Sequence, residues 1–383
     1  MTAFPSHAPT KPGRMEQMST RIAFFIAGFG VAAWAPLVPF AKTRTGIDAG
    51  TLGLLLLCLG VGSIIAMPVA GALASRFGCR RVLIVGTSLI CIALPLLATV
   101  STPSLLIISL FLFGAGLGSV DSTVNLQAVI VERASGQTMM SGFHGLFSLG
   151  GIAGAAGVSA LLGLGLSPLV ATGVVVVLLI LALLKAAPHL LPHGGESSGP
   201  AFAVPHGVVL FIGLLCFVVF LAEGAMLDWS AVFLSAEHQV PDAYAGLGYA
   251  AFALTMTLGR LTGDAIVRRL GGRQVIVIGA ITAATGLLLS TLAPAWEVAL
   301  LGYALVGAGC SNIVPVLYTA TGKQQVMPQN IAIPAITTLG YAGILLGPAA
   351  IGFIAHASSL SVAFLLIALM LLGTAIGGKI LRV

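Results

Sequence analysis

Apolar runs of about 20 residues recur along the chain from residue 20 onward, and short polar stretches separate them. A helix of about 20 apolar residues is long enough to cross a hydrocarbon core about 30 Å thick. The pattern therefore predicts twelve membrane-spanning helices, six in each half of the chain. Numbered in chain order, the predicted spans cover residues 20–40, 51–74, 82–100, 105–129, 140–164, 168–184, 207–234, 244–267, 275–292, 298–319, 331–355 and 360–380. The polar remainder predicts an N-terminal tail (1–19), a first bundle (20–184), a central linker (185–206) and a second bundle (207–383).

The composition narrows the class of protein. Hydrophobic residues make up 58% of the chain and charged residues only 7%, whereas an ordinary soluble domain carries roughly 25% charged residues. So few charges cannot cover a water-exposed surface, which excludes a soluble enzyme or a nucleic-acid-binding protein. The five cysteines have no CxxC spacing, and we interpret them as apolar packing residues. Because the chain has no HExxH motif, P-loop or Cys/His cluster, we expect no cofactor, no metal and no enzyme activity.

The basic residues indicate how the chain lies in the membrane. Lysine and arginine are enriched in cytoplasmic loops of membrane proteins. If the N-terminus is cytoplasmic, the outer loops hold only Lys42 and Arg44. The cytoplasmic segments then hold Lys11, Arg14, Arg21, Arg76, Arg80, Arg81, Arg133, Lys185, Arg268, Arg269, Arg273, Lys323, Lys379 and Arg382. A different number of spans would destroy this asymmetry, so we predict twelve spans with both termini in the cytoplasm.

The two halves of the chain repeat each other. A shift of 193 positions places the basic loop 76–82 on 269–275 without a gap. The same shift places Gly114 on Gly307, and further glycines match over some 80 residues. A constant shift over this length indicates two parallel six-helix repeats, which pack around an axis along the membrane normal with a site at their interface.

This organisation resembles the major facilitator superfamily, and three motifs narrow the resemblance. They are Asp121-x-x-x-Asn125-x-Gln127 in span 4, Gly142-Phe-His144-Gly-Leu-Phe-Ser-Leu-Gly150 in span 5 and Glu223-Gly-Ala-Met-Leu-Asp228-Trp-Ser230 in span 7. These motifs are similar to the bacterial YbjJ/MosC-like branch, which is distantly similar to proton-coupled fucose-type symporters. The resemblance implies an all-α membrane fold of two pseudo-symmetric bundles, in a monomer of the bacterial inner membrane. It also implies a central site built from spans 1, 4, 7 and 10.

Asp121 is the first candidate for chemistry, because a charged side chain at mid-membrane costs about 3 kcal/mol or more and needs a reason. Asn125 lies one helical turn further, and Gly114 and Gly118 continue the same face. A carboxyl group in such surroundings is suited to carry a proton. The alternative is a carboxylate permanently hydrogen-bonded to a neighbouring helix. Asn125 and Gln127 are candidates either for solute binding or for hydrogen bonds between helices.

Span 7 carries two more acids, Glu223 and Asp228. Five residues of helix correspond to about 500°, so the two carboxyl groups point about 140° apart and form a poor pair. We predict that Glu223, the deeper one, is a second protonatable or solute-binding group. We interpret Asp228 as a hydrogen-bond partner at the outer gate.

Four further residues are candidates for solute binding or gating. Trp34 is either a stacking platform for a sugar or an interfacial anchor, and Asn312 and Tyr341 can hydrogen-bond a polar solute. His144, near the start of span 5, is either a packed gate residue or a proton relay.

The basic loops predict a cytoplasmic latch. In the superfamily motif an aspartate at the end of span 2 pairs with loop arginines, but Ser75 stands at that position, before Arg76. In the second half Arg260, Asp264 and Arg268 are spaced four apart on one helix face, so Asp264 can pair with either arginine. We therefore expect the main latch in the second half. The alternative is that these basic residues only determine topology.

Together these features predict a secondary active transporter that moves a small polar solute, such as a sugar or polyol, with protons. The expectation that no arginine lies at mid-bilayer weakly disfavours an anionic substrate. The alternative function is a proton-driven exporter of amphipathic or cationic compounds, because membrane acids would serve it equally well.

Overall fold

The computed structural model describes residues 13–47, 49–194, 204–240 and 246–381. Most of the predicted N-terminal tail, part of the predicted linker, the first residues of predicted span 8 and Arg382 lie outside the described residues. Every regular element in the described ranges is a helix.

The helices follow the predicted order and extend beyond most of the predicted ends. The first six spans are Arg14–Thr45, Ala49–Phe77, Cys79–Thr99, Pro103–Ser135, Met140–Gly163 and Pro168–Ala186. The last six are Gly207–His238, Leu247–Leu270, Gly272–Leu292, Trp296–Lys323, Gln329–Ala357 and Leu360–Ile380. Span 1 begins at Arg14 instead of residue 20, because its first helical turns carry polar side chains that precede the apolar run.

Eleven helices in the described part of the chain are long and apolar enough to cross a membrane. Span 8, Leu247–Leu270, is not among them, because Arg260, Asp264, Arg268 and Arg269 reduce its hydropathy. With 24 residues it is nonetheless about 36 Å long, and it packs against spans 5, 7 and 10. Span 8 is therefore long enough to cross the membrane, and it buries the face that carries Arg260 against neighbouring spans.

Two spans are interrupted near functional candidates. Span 1 passes through a short 3₁₀ turn, Ala35–Leu37, where Pro36 and Pro39 remove backbone donors. Span 10 ends its first helix at Cys310 and restarts at Ile313. Freed carbonyl groups are tolerated at membrane depth where protein or a water-filled cavity surrounds them.

Glycines bring the helices of each half together at matching positions. A Cβ on Gly114 would collide with the carbonyl oxygen of Leu59, and a Cβ on Gly307 would collide with that of Phe252. Both pairs are related by the shift of 193 residues. The internal repeat of the sequence is thus a repeat of helix packing.

The two halves meet near mid-depth and towards one end of the spans. We call it the linker end, because span 6 ends there at Ala186 and span 7 begins there at Gly207. Cross-half packing is densest between spans 2 and 11 and between spans 5 and 8. In span 5, it involves Gly142 and Gly145, near the linker end. The helices therefore close the molecule at the linker end.

Candidate functional site

Asp121 lies near the middle of span 4 and has a partner from the opposite half. The Tyr341 hydroxyl in span 11 lies close to the Asp121 carboxyl group. The ring of Tyr341 in turn packs edge-on against Phe220 of span 7, with 6.1 Å between ring centroids. The contact of Asp121 with Tyr341 therefore links the two halves of the molecule.

The two amides of the span 4 motif have different surroundings. Asn125 donates from Nδ2 to the Asp121 carbonyl oxygen at 2.9 Å, and its buried Oδ1 has no partner among the described residues. Gln127 donates to Thr20 Oγ1 at 2.9 Å and accepts from the Leu191 backbone N–H at 3.1 Å. Both ends of the Gln127 side chain are thus engaged, which favours the role between helices over solute binding.

Glu223 and Arg260 form an ion pair at 3.2 Å, with both side chains largely buried. Arg260 Nη2 lies 3.2 and 3.3 Å from the two carboxylate oxygens of Glu223. Arg260 Nη1 donates to Ser148 Oγ of span 5, in the opposite half, at 3.2 Å. Its Nε donates to the Ser311 carbonyl oxygen at 3.4 Å. The guanidinium group therefore joins spans 5, 7, 8 and 10.

This arrangement corrects two expectations. Arg260 pairs with Glu223, and the described residues contain no Arg260–Asp264 ion pair. The expectation that no arginine lies at mid-bilayer is also wrong, since Arg260 is near the middle of span 8 and only 6% exposed. Helical spacing identified Asp264 as a neighbour of Arg260. The positive charge of Arg260 is instead neutralised by the carboxylate of Glu223, which lies on another helix.

The break in span 10 positions Asn312. Its Nδ2 donates to the Gly259 carbonyl oxygen and to Ser311 Oγ, each at 3.0 Å, while Oδ1 is buried without a partner in the described structure. The break also exposes the Ser311 carbonyl oxygen to Arg260. The unpaired Oδ1 of Asn312 is packed against Gly263 of span 8, near the ion pair.

His144 packs between two aromatic rings from different spans. Its ring centroid lies 5.2 Å from that of Phe24 in span 1 and 5.7 Å from that of Tyr318 in span 10. The Tyr318 hydroxyl is 2.8 Å from Thr337 Oγ1, and His144 Nε2 has no partner within the described ranges. The histidine thus lies in the cross-half packing, as a gate residue would.

Asp264 also contacts the opposite half, at the linker end. Its carboxylate lies against the start of span 5, where a Cβ on Gly142 would be 2.5 Å from Oδ2, and it is within electrostatic range of Arg268. A carboxylate is stabilised at a helix N-terminus by the unpaired N–H groups and the helix dipole. The predicted latch residue therefore faces a helix N-terminus of the opposite half, within electrostatic range of an arginine of its own helix.

Glu132, which the sequence analysis missed, reinforces the same helix end. It is only 6% exposed, and its Oε2 accepts the N–H groups of Met139 and Met140, each at 2.8 Å. Its Oε1 accepts the Thr319 hydroxyl of span 10 at 2.5 Å. The available signal was an acid directly before the start of a new span, where it can cap the helix.

The other candidates are not part of these networks. Arg76 is exposed and stacks on its neighbour Phe77, with 5.1 Å to the ring centroid, and the described residues contain no ion pair of Arg76. Asp228 is exposed. Trp34 is 5% exposed, and its indole Nε1 lacks a partner in the part of the chain that the structure describes.

Comparisons with known proteins agree with this architecture. An uncharacterized MFS-type transporter of Yersinia pestis is 56% identical over 370 residues, 96% of each chain. The membrane protein MosC of Rhizobium meliloti is 32% identical over 362 residues, 94% of this chain and 88% of MosC.

Solved structures share the fold at low sequence identity. The Escherichia coli fucose:proton symporter FucP superposes with a TM-score of 0.80 at 17% identity, over 96% of this chain and 98% of FucP. A structure of FucP in the outward conformation gives a TM-score of 0.77 at 18% identity, with the same coverage. These likenesses confirm the predicted fold of two six-helix bundles.

The family model described as Major Facilitator Superfamily matches residues 21–238, more than half of the chain. Together with two relatives above 30% identity along nearly the whole chain, this match confirms the predicted family. The chain belongs to the Major Facilitator Superfamily and is a multi-pass membrane transporter.

Proposed function

We propose that this transporter moves a small polar solute across the bacterial inner membrane by alternating access, in symport with protons that Asp121 carries. The observation that carries the proposal is the contact between Asp121 and Tyr341, because it joins a membrane-embedded acid to the opposite half of the molecule. A change in the protonation of Asp121 then changes the contact between the two halves. This is the physical link that proton coupling requires.

The closed linker end supports the same mechanism. In this state the halves are joined at the linker end by Asp264 and Glu132, so solute and proton enter from the other end. Burying an ionised carboxylate in an apolar environment is costly, whereas a neutral acid is tolerated. A protonated Asp121 therefore permits the rearrangement that opens the linker end, and an ionised one resists it.

The charges of the site favour a neutral solute. Glu223 neutralises Arg260, and Asp121 is neutral when it carries its proton. The remaining polar groups near mid-depth include the free acceptor of Asn125. A sugar or polyol matches such groups, and the solved structures with this fold include a fucose:proton symporter and a proton:xylose symporter.

The first experiment identifies the ligand class. Purified protein is screened by thermal shift against neutral sugars, alditols and cationic dyes. We expect stabilisation by a sugar or alditol. Stabilisation by cationic dyes alone would instead favour the alternative, a proton-driven exporter of amphipathic or cationic compounds.

The second experiment tests proton coupling in proteoliposomes. We expect Asp121→Asn to abolish the pH change that solute addition causes, while exchange of labelled for unlabelled solute continues. The matched control is Glu297→Gln, which changes an exposed acid at the start of span 10. Full coupling in Asp121→Asn would reject the assignment of Asp121.

A further inference from the structure

The two members of the Glu223–Arg260 pair are held very differently. Arg260 is anchored by Ser148 Oγ and by the Ser311 carbonyl oxygen, in addition to Glu223. Glu223 has no hydrogen-bond partner other than Arg260 among the described residues. The guanidinium group is therefore fixed by three other spans, whereas the carboxylate is fixed by one group only.

The carboxylate also has unused capacity to accept hydrogen bonds. A carboxylate offers about four lone-pair sites, and the single nitrogen Nη2 occupies one on each oxygen, at 3.2 and 3.3 Å. Charge-assisted hydrogen bonds are usually shorter, about 2.7–2.9 Å. The side chain of Glu223 is 16% exposed, twice the 8% of Arg260. A solute can therefore reach Glu223 without displacing Arg260.

We propose that Glu223 is the hydroxyl acceptor of the central site, and that it recognises two adjacent hydroxyl groups of a neutral sugar or polyol. Arg260 is the positioning residue that keeps Glu223 ionised and oriented. The inference rests on the proposed function and assigns Glu223 to solute binding instead of proton transfer. It separates the two acids by role, with the proton on Asp121 and the solute on Glu223.

The chemistry of the pair selects this class of solute. A cation gains little from a carboxylate that a guanidinium group already neutralises, and an anion gains little from a guanidinium group that the carboxylate already neutralises. Two neighbouring hydroxyl groups can donate to the two oxygens of Glu223 while the ion pair remains intact.

The experiment measures equilibrium binding of L-fucose, D-xylose, D-mannitol and deoxy analogues that each lack one hydroxyl group. We expect Glu223→Gln to weaken binding of the best parent compound at least tenfold, since a hydrogen bond to a charged group is lost. We expect the same substitution to change binding of the critical deoxy analogue less than about twofold, because that analogue has already lost the contact. Exchange of labelled solute should fall in parallel with binding.

The controls separate a binding role from a structural one. Glu237→Gln makes the same change at an exposed position of the same span and should bind as the wild type does. The double variant Glu223→Gln/Arg260→Gln leaves no unpaired charge, so it should fold. It should bind the parent compound as weakly as Glu223→Gln does. Arg260→Lys keeps the charge and should bind with intermediate affinity.

Three results would overturn the inference. The first is wild-type binding to Glu223→Gln with loss of proton-driven accumulation, which would make Glu223 a proton carrier. The second is an equal loss of affinity for parent and deoxy compounds. The third is a wild type that binds none of the three parent compounds. Failure of the Asp121→Asn experiment would reject the proposed coupling but leave the binding data on Glu223 intact, so the two failures are distinguishable.

Discussion

At the scale of single residues, Tyr341 and Tyr303 allow the same substitution to be compared at two buried tyrosines, of which only Tyr341 lies next to Asp121. The Tyr341 hydroxyl interacts with Asp121, whereas the buried Tyr303 hydroxyl has no partner in the described structure. Tyr341→Phe should cost about 1 kcal/mol of cross-half stabilisation and reduce solute-driven proton uptake severalfold. Tyr303→Phe should leave uptake unchanged. Thermal unfolding and uptake assays check both variants, and equal effects would contradict a specific role of Tyr341.

Gln127 is predicted to stabilise the protein without binding the solute. Gln127→Leu removes the acceptor of the Leu191 N–H group and the donor to Thr20. Leaving buried polar groups unpaired costs about 1–3 kcal/mol, so the melting temperature should fall by several degrees while the Kd for the solute stays constant. Weaker solute binding at an unchanged melting temperature would contradict this prediction and would indicate that Gln127 binds the solute.

Whether a functional residue could be predicted from the sequence depends on where its partner lies. Asp121 was found because a carboxyl group inside an apolar run is unusual wherever it points. The Glu223–Arg260 pair was missed because the partners are 37 residues apart on different helices, and helical spacing reveals only neighbours on the same helix. The bond between Glu132 and Thr319, 187 residues away, was missed for the same reason, whereas the bonds of Glu132 to Met139 and Met140 are local and left a signal in the sequence.

At the scale of the helices, two glycines of span 5 test the packing against span 1. A Cβ on Gly154 would collide with the Phe29 carbonyl oxygen, whereas a Cβ on Gly157 would meet nothing within 4 Å. Gly154→Ala should therefore lower thermal stability by about 1–3 kcal/mol. Gly157→Ala should be neutral or raise it by up to about 1 kcal/mol. Similar melting curves for both variants would contradict this packing.

The spans themselves were predictable because the bilayer requires a helix of about 20 mostly apolar residues, and this can be seen in the sequence of each span alone. Even span 8, the least apolar, was identified from its length and position. The 3₁₀ turn of span 1 was also predictable, since Pro36 and Pro39 lack the backbone N–H groups that a continuous helix needs. The break in span 10 also has a signal, because Pro315 lacks the N–H group that would bond to the Ser311 carbonyl oxygen four residues earlier. The partners at the break, Arg260 for the Ser311 carbonyl oxygen and Gly259 for the Asn312 side chain, were not predictable, because they lie on another span.

At the scale of the whole molecule, cross-half contacts occur at two depths. Near mid-depth, Asp121 meets Tyr341 and Arg260 meets Ser148. At the linker end, the start of span 5 is held by carboxylates from both halves, Glu132 and Asp264. Because the same two halves carry all of these contacts, opening the linker end must also disturb the contacts of the central site. Under the proposed function, this geometry couples solute binding at the central site to gating at the linker end.

The linker-end contacts therefore predict which substitutions open the molecule. Thr319→Val removes the cross-half donor to Glu132, and Asp264→Asn weakens the hold on the start of span 5. Thr321→Val is the matched control, because the buried Thr321 hydroxyl bonds to Leu317 of its own helix. Losing a hydrogen bond to a charged group costs about 1.5–3 kcal/mol, which shifts a two-state equilibrium by about tenfold or more.

Spin labels attached through Gln137→Cys and Val326→Cys, both at exposed positions of the linker end, can measure this shift in a background without native cysteines. We expect Thr319→Val and Asp264→Asn to populate a longer distance between the labels, whereas Thr321→Val keeps the closed distribution. If the contacts only stabilise the fold, the melting temperature will fall while the distance distribution stays closed. If they form the latch, the distance will lengthen in samples that remain folded, because the free energy lost belongs to the closed state alone.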